Sequence, residues 1–344
     1  MKRFVILCDG TWNLPDKTKN GVPVPTNVVK LAEAILDIHD GIPQLVFYDP
    51  GIGSSGSRLK RVYDGATGTG ISVNIQQAYR FLIHEFEVGD QIFLFGFSRG
   101  AFTVRSLAGL IRCCGILRRN ALSLVPDAFA LYRSRRPATH PREREATLFR
   151  RTYAVEDVTP IAFIGVWDTV GSLGNPLYLG RVNPGNAFHD TALSSYVHSA
   201  YQALAIDETR RNFTPTLWHQ QSWASGQTLE QRWFAGVHSN IGGGSHETGL
   251  SDLALVWLAS KAKEAGLGHK GIAATTNPKA PLGESWKSFY RLIPRRYRPI
   301  DVPTADGPTH EVVDESVLTR YQSDTSYRPP NLVAYLRRHP ELLP

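Results

Sequence analysis

Three cysteines in 344 residues, two of them adjacent, exclude a disulfide framework. Cys8 lies in an apolar run and Cys113-Cys114 in a helical stretch, none at metal-site spacing, so buried thiols in a reducing compartment are expected. No stretch reaches the roughly 18–20 apolar residues of a spanning helix. The N-terminal apolar run, residues 4–8, is too short for a signal peptide. A cytoplasmic location is expected, with export left to a signal-independent route. Charge of one sign is also scarce. Lys and Arg number 38 against 31 Asp and Glu, a formal +7 gathered at Arg118-Arg119, Arg133 to Arg151 and Arg295-Arg296. Without an RRM, zinc-finger or helix-turn-helix signature this reads as solvated helical surface, so no nucleic-acid partner is expected. Peripheral contact with an anionic membrane surface stays open, and oligomeric state is not legible.

Cofactor motifs are missing as well. There is no G-x-x-x-x-G-K-[ST], and Gly51-Ile52-Gly53 lacks the third glycine of a dinucleotide fingerprint. No H-E-x-x-H or similar short pair marks a metal site. Val5 to Thr11 is similar to the haloacid-dehalogenase phosphatase signature, a strand followed by Asp-x-Asp-Gly-Thr. Leu7 occupies the position of its nucleophilic aspartate. The expected cofactor is none, and the expected metal is none.

What is present is a core. Hydrophobic residues make up 42% of the chain, enough for one large domain over residues 1–344. Phe4 to Cys8, Leu45 to Tyr48, Gln91 to Phe95, Ile161 to Trp167 and Arg232 to Val237 read as buried strands. Helical patterns follow Thr26, a candidate N-cap, and run over residues 71–86, 101–111 and 250–265, with Ala200 to Ile206 also read as helix. Strands alternating with helices imply an α/β fold, a mostly parallel sheet with helices on both faces in the α/β-hydrolase manner. Residues 117–155 are helical and basic, a candidate cap over the site. Residues 270–344 are a less regular C-terminal extension.

Gly96-Phe97-Ser98-Arg99-Gly100 is a G-x-S-x-G motif between a strand and a helix, the context of a nucleophile elbow. A serine hydroxyl needs a base, and the base needs an orienting carboxylate. Downstream, Asp168 follows the run ending at Trp167, and His238 follows the run ending at Val237. The order Ser, Asp, His at strand ends is that of a triad on an open parallel sheet. Ser98 could instead be a turn serine, Asp168 a cap and His238 a structural histidine. His246 is the rival base, with His219 and His198 behind it. For a tetrahedral intermediate the candidate oxyanion donors are the amide of Arg99 and those of Gly10 and Thr11. Asp9 is read as the brace of that turn.

Leu7-Cys8-Asp9-Gly10-Thr11-Trp12-Asn13, Gly96-Phe97-Ser98-Arg99-Gly100-Ala101, Trp167-Asp168-Thr169-Val170-Gly171 and Gly236 to Gly244 together resemble one family. It is the uncharacterised α/β-hydrolase domain family that includes the type VI secretion lipase effectors of the first class. Ala203 to Pro215 and Tyr327 to Leu332 extend the likeness towards the C-terminus. The resemblance implies an α/β-hydrolase fold, a triad carried onto Ser98, Asp168 and His238, and, as in the secreted members, phospholipase activity on glycerophospholipids. The expectation is a serine esterase or lipase cleaving carboxylic esters, its partner an ester or lipid substrate. The alternatives are a non-catalytic binding protein on the same scaffold and a metal-dependent hydrolase using Asp9 or Asp168.

Overall fold

The computed structural model describes residues 1–10, 13–51, 69–170, 192–224, 226–286 and 295–343. Its centre is an eight-stranded sheet. In chain order the strands are β1 (Arg3–Cys8), β2 (Ile38–His39), β3 (Ile42–Asp49), β4 (Gln91–Phe97), β5 (Ile161–Trp167), β6 (Val197–Ala205), β7 (Thr228–Phe234) and β8 (Glu311–Val313). In space they run β8-β7-β6-β5-β4-β1-β3-β2, all parallel except the short β2, which pairs antiparallel with β3.

Strands β1, β4 and β5 are almost wholly apolar because both faces of the sheet are covered there. Phe4, Ile6 and Cys8 of β1 join Ile92 and Leu94 of β4 on one face, packed with α2 (Thr69–Glu85) and α3 (Arg99–Cys114). Val5 and Leu7 join Phe93, Phe95, Phe163 and Trp167 on the other, under α1 (Asn27–Ala34) and the helix over Gly249–Glu264. The period-2 alternation of side chains alone sorts these residues between two cores. Thr26 caps α1 as expected, its side chain accepting from the Val29 amide.

Ala200 to Ile206 is corrected. It lies largely in β6, hydrogen-bonded between β5 and β7 and buried from Ala200 to Ala205. Ala, Leu and Gln favour helix, but a central position in the sheet overrides propensity. The C-terminal region is also more ordered than its composition suggests. It supplies β8 and two later helices, Glu315–Ser323 and Pro330–Arg338. Its Ile300, Val317, Leu332 and Leu336 form a third core with Leu204, Ile206 and Trp233. Residues 117–155 hold α4 (Val125–Arg133) and α5 (Arg144–Tyr153). They lie along the far half of α3, where Cys114 meets the Ala128 carbonyl and the Arg150 guanidinium meets the Cys113 carbonyl. No helix among the described residues is long and apolar enough to cross a membrane.

Candidate active site

Register brings the strand ends level. Cys8 pairs with Asp49 and Gly96, Phe97 with Trp167, Trp167 with Ala203, and Ala205 with Phe234. The residues that follow these pairs, Asp9, Ser98, Asp168 and the 236–240 turn, therefore share one edge of the sheet.

Ser98 sits between β4 and α3 at φ +56°, a backbone conformation that non-glycine residues rarely adopt. Such strain costs about 1–3 kcal/mol and needs a framework to hold it. The framework is a hydrogen bond from the Ser98 amide to the Trp167 carbonyl, 3.0 Å, and close seating of the two glycines. A Cβ on Gly96 would fall 2.5 Å from the Gly100 carbonyl oxygen, and one on Gly100 only 1.9 Å from the Cys8 carbonyl oxygen. The motif's small residues are thus where α3 rests directly on strand backbone.

Asp168, also at positive φ, +42°, is fully buried. Its amide donates to the Ala203 carbonyl, and its Oδ1 accepts from the Ala205 amide at 3.1 Å. His238 opens the five-residue helix His238–Gly242, α6, and is 9% exposed. Its Nδ1 lies 2.5 Å from Asp168 Oδ2 and its Nε2 2.8 Å from Ser98 Oγ. Full burial pushes the Asp168 carboxyl up, but the Arg298 guanidinium and then His238 outweigh it and hold the group well below the usual carboxylate range. An ionised Asp168 can only accept, so Nδ1 carries the imidazole proton and Nε2 accepts from the Ser98 hydroxyl. Phe97 and Phe213 flank the imidazole, ring centroids 4.7 and 5.0 Å away. The arrangement can polarise the Ser98 O–H and receive its proton.

The other weighed residues fall elsewhere. His246 is exposed in the loop before the Gly249–Glu264 helix, α7. His219 bonds the Gly307 carbonyl, and His198 is exposed on β6. Arg99 is the first residue of α3, so its amide belongs to the helix N-terminus beside Ser98, where developing negative charge is favoured. Gly10 is the other candidate oxyanion donor among the described residues. It packs beside Ser98, but its amide donates to Asp9 Oδ1 at 2.6 Å because a buried carboxylate collects the nearest donors. Thr11 lies outside the described residues. Asp9 also accepts from Asn13, Thr26 and Tyr48, which ties the Gly10 turn to the start of α1. Burial pushes its carboxyl up to about 6 against the lowering effect of those hydrogen bonds. The oxygens of both Asp9 and Asp168 accept from protein donors, and no group of three or more His, Cys, Asp or Glu side chains able to hold a metal ion occurs among the described residues.

Two residues at the site escaped the sequence reading. Arg298 forks onto both oxygens of Asp168. Glu208, fully buried, accepts from the His238 amide at 3.4 Å and from Arg210 and Ser285. Burial raises the Glu208 carboxyl, yet the bond and charge of Arg210 and the charge of Arg298 leave it below its ordinary value. The signal for Glu208 was an acidic pair, Asp207-Glu208, just past a strand end. Arg298 carried none, being one arginine among several in a proline-rich stretch. A separate cavity of about 710 Å³ lies on the flank of α3, bounded by Arg105, Arg112, Tyr132 and Trp218.

The model of the type VI secretion family described as "Phospholipase effector Tle1-like, catalytic domain" matches residues 2–261. An uncharacterized protein of Saccharomyces cerevisiae is 32% identical over 229 residues, which cover 61% of this chain and 32% of the yeast protein. The chain therefore spans about a third of the length of that curated relative. Among solved structures, an uncharacterized protein from Pseudomonas aeruginosa is 14% identical with a TM-score of 0.44, over 78% of this chain and 46% of that one. The Tle1 effector bound to the VgrG spike of a type 6 secretion system is 21% identical with a TM-score of 0.41, over 72% and 52%.

Proposed function

Because the chain belongs to the Tle1-like phospholipase effector family of type VI secretion, we propose that it is a serine hydrolase of carboxylic esters, lipid esters foremost. The observation that carries the reading is the line from Ser98 Oγ through His238 to Asp168, 2.8 and 2.5 Å, with Ser98 lifted from the sheet at φ +56°. Family membership supports the lipid class of substrate and export by a signal-independent route.

In this reading Ser98 Oγ attacks the acyl carbon as its proton passes to His238 Nε2. The Arg99 amide, at the N-terminus of α3, stabilises the oxyanion of the tetrahedral intermediate. His238 returns the proton to the departing alcohol and leaves an acyl-enzyme on Ser98. Water then repeats the sequence and frees the acid. Asp168 keeps the Nδ1 proton in place and stabilises the imidazolium at each stage.

The test is an ester panel, from short p-nitrophenyl esters to phosphatidylcholine and phosphatidylglycerol vesicles, on wild type and Ser98→Ala in parallel. Ester turnover and fluorophosphonate labelling in wild type, both lost in Ser98→Ala with the fold intact, are the expected result. Equal turnover in the two proteins refutes the reading, and chelator-sensitive turnover in Ser98→Ala points to a metal-dependent hydrolase. A wild type that neither labels nor turns over is a binding protein on this scaffold.

A further inference from the structure

Asp168 has two side-chain partners, His238 and Arg298, and the second comes from outside the segment that the family model matches. Arg298 is 3% exposed, with Nη1 2.6 Å from Asp168 Oδ1 and Nη2 3.1 Å from Oδ2. The same guanidinium donates to the Ala205 and Phe213 carbonyls. Asn331, on the Pro330–Arg338 helix, donates to the Arg298 carbonyl and to that of Ile206, so the C-terminal helix holds the arginine in turn.

Stability alone is a weak reason for such a pair. A buried ion pair recovers little beyond its own desolvation, and an apolar substitute of equal volume often does as well. Geometry offers a better reason. Asp168 Oδ2 is shared between Arg298 Nη2 and His238 Nδ1, while Oδ1 is shared between Arg298 Nη1 and the Ala205 amide. A planar fork on both oxygens fixes the rotation of the carboxylate. It also keeps the group ionised, which fixes the imidazole tautomer.

We propose that Arg298 is a positioning residue for hydrolysis, holding Asp168 in the orientation and charge state that keep His238 aligned on Ser98. The proposal rests on the hydrolase reading above. It makes completion of the site depend on docking of residues 295–343, because the guanidinium arrives only with that segment.

The charged groups facing His238 are Asp168 from the end of β5, Glu208 with Arg210 from the loop after β6, and Arg298. Of the two arginines, Arg210 is paired with Glu208, whereas Arg298 sits on the carboxylate that His238 bonds and opposes the positive charge that His238 takes on in the reaction. Removing it should favour the imidazolium and raise the pH at which the base becomes competent.

Arg298→Met, Arg298→Gln and Arg298→Lys in the full chain test this, with kcat, KM and the pH dependence of kcat/KM on a soluble ester, beside circular dichroism. The two neutral variants are expected to lower kcat about 10- to 100-fold with KM little changed. Their acid limb should move up by about half to one pH unit. Lysine keeps the charge without the fork, so its acid limb stays in place while kcat still falls. A loss that follows the folded fraction, with the acid limb unmoved in both neutral variants, overturns the proposal. Should those variants not fold, wild type decides. A held carboxylate gives an acid limb of unit slope, whereas a slope rising to two near about pH 4, where an ordinary aspartate titrates, overturns it. Ser98→Ala separates the two levels. Full turnover there refutes the hydrolase reading, whereas an inactive Ser98→Ala beside an unmoved acid limb refutes only the role of Arg298.

Discussion

Gly100→Ala tests whether the elbow is held by direct contact between helix and strand backbone. The added Cβ would meet the Cys8 carbonyl oxygen at 1.9 Å, its carbon at 2.4 Å and the Asp9 carbonyl oxygen at 2.6 Å. All three are backbone atoms of β1 or of the turn that follows it, so no rotamer change can relieve the clash. Reaching even 3.0 Å takes more than 1 Å of movement by α3, a helix buried along nearly its whole length. Overpacking that side chains can absorb costs about 1–3 kcal/mol. Displacing a packed helix should exceed that and reach about 4 kcal/mol or more, a large part of a typical 5–15 kcal/mol total. The assay is urea unfolding followed by circular dichroism, with ester turnover measured below the transition. Turnover should fall about 100-fold even in folded protein, since a 1 Å misplacement of the attacking atom has that consequence. Gly271→Ala, which meets nothing within 4 Å, is the control and should stay within about 0.5 kcal/mol of wild type. A Gly100→Ala protein with wild-type midpoint and turnover refutes the argument.

Three further outcomes follow from particular contacts. Asp168→Asn should cut turnover by about 10⁴ through the wrong imidazole tautomer, and lower stability by about 3–5 kcal/mol because Arg298 is left buried without its counter-charge; ester kinetics and urea midpoints read the two effects separately. Gly242→Ala places a Cβ 2.1 Å from the Phe97 ring, which packs on His238; a stability loss of about 1–3 kcal/mol with a fall in kcat but not in KM is expected. Asp9, whose carboxyl burial pushes up to about 6 from 3.8, favours folding in its protonated form. Its contribution is complete below about pH 4 and is lost as pH rises through about 6, and it amounts to about 2–3 kcal/mol. Asp9→Asn should remove that slope, so a stability–pH curve for the variant that parallels wild type between pH 4 and 7 contradicts the assignment. Asp168 acts in the opposite sense: its depressed carboxyl contributes stability above the usual carboxylate range and loses it as pH falls below that range.

Much of the scaffold is legible in local pattern. Phe4 to Cys8 and Ile161 to Trp167 are unbroken apolar runs because the sheet is covered on both faces there. The glycines at 96 and 100 mark the close approach of helix and strand before any coordinate is known. β6 was not legible, because an Ala- and Leu-rich strand buried on both faces has the composition of a helix. The hydrogen bond from the Gly10 amide to Asp9 could not be foreseen either. Two residues can share a turn, but which acceptor an amide finds depends on what else is buried around it.

Strand ends in the order Ser98, Asp168, His238 are a property of the chain, readable from where apolar runs stop. That the three side chains meet at 2.8 and 2.5 Å is a property of register, since parallel strands paired Phe97 to Trp167 and Ala205 to Phe234 bring their ends to one edge. Arg298 belongs wholly to tertiary structure. It stands 130 residues from Asp168 and in no local pattern. Only the third core, which packs Ile300 and Leu332 onto β6 and β7, carries its guanidinium to the carboxylate. Local sequence encodes periodicity and turn chemistry, which act over a few residues. A buried charge finds its partner through the packing of distant segments.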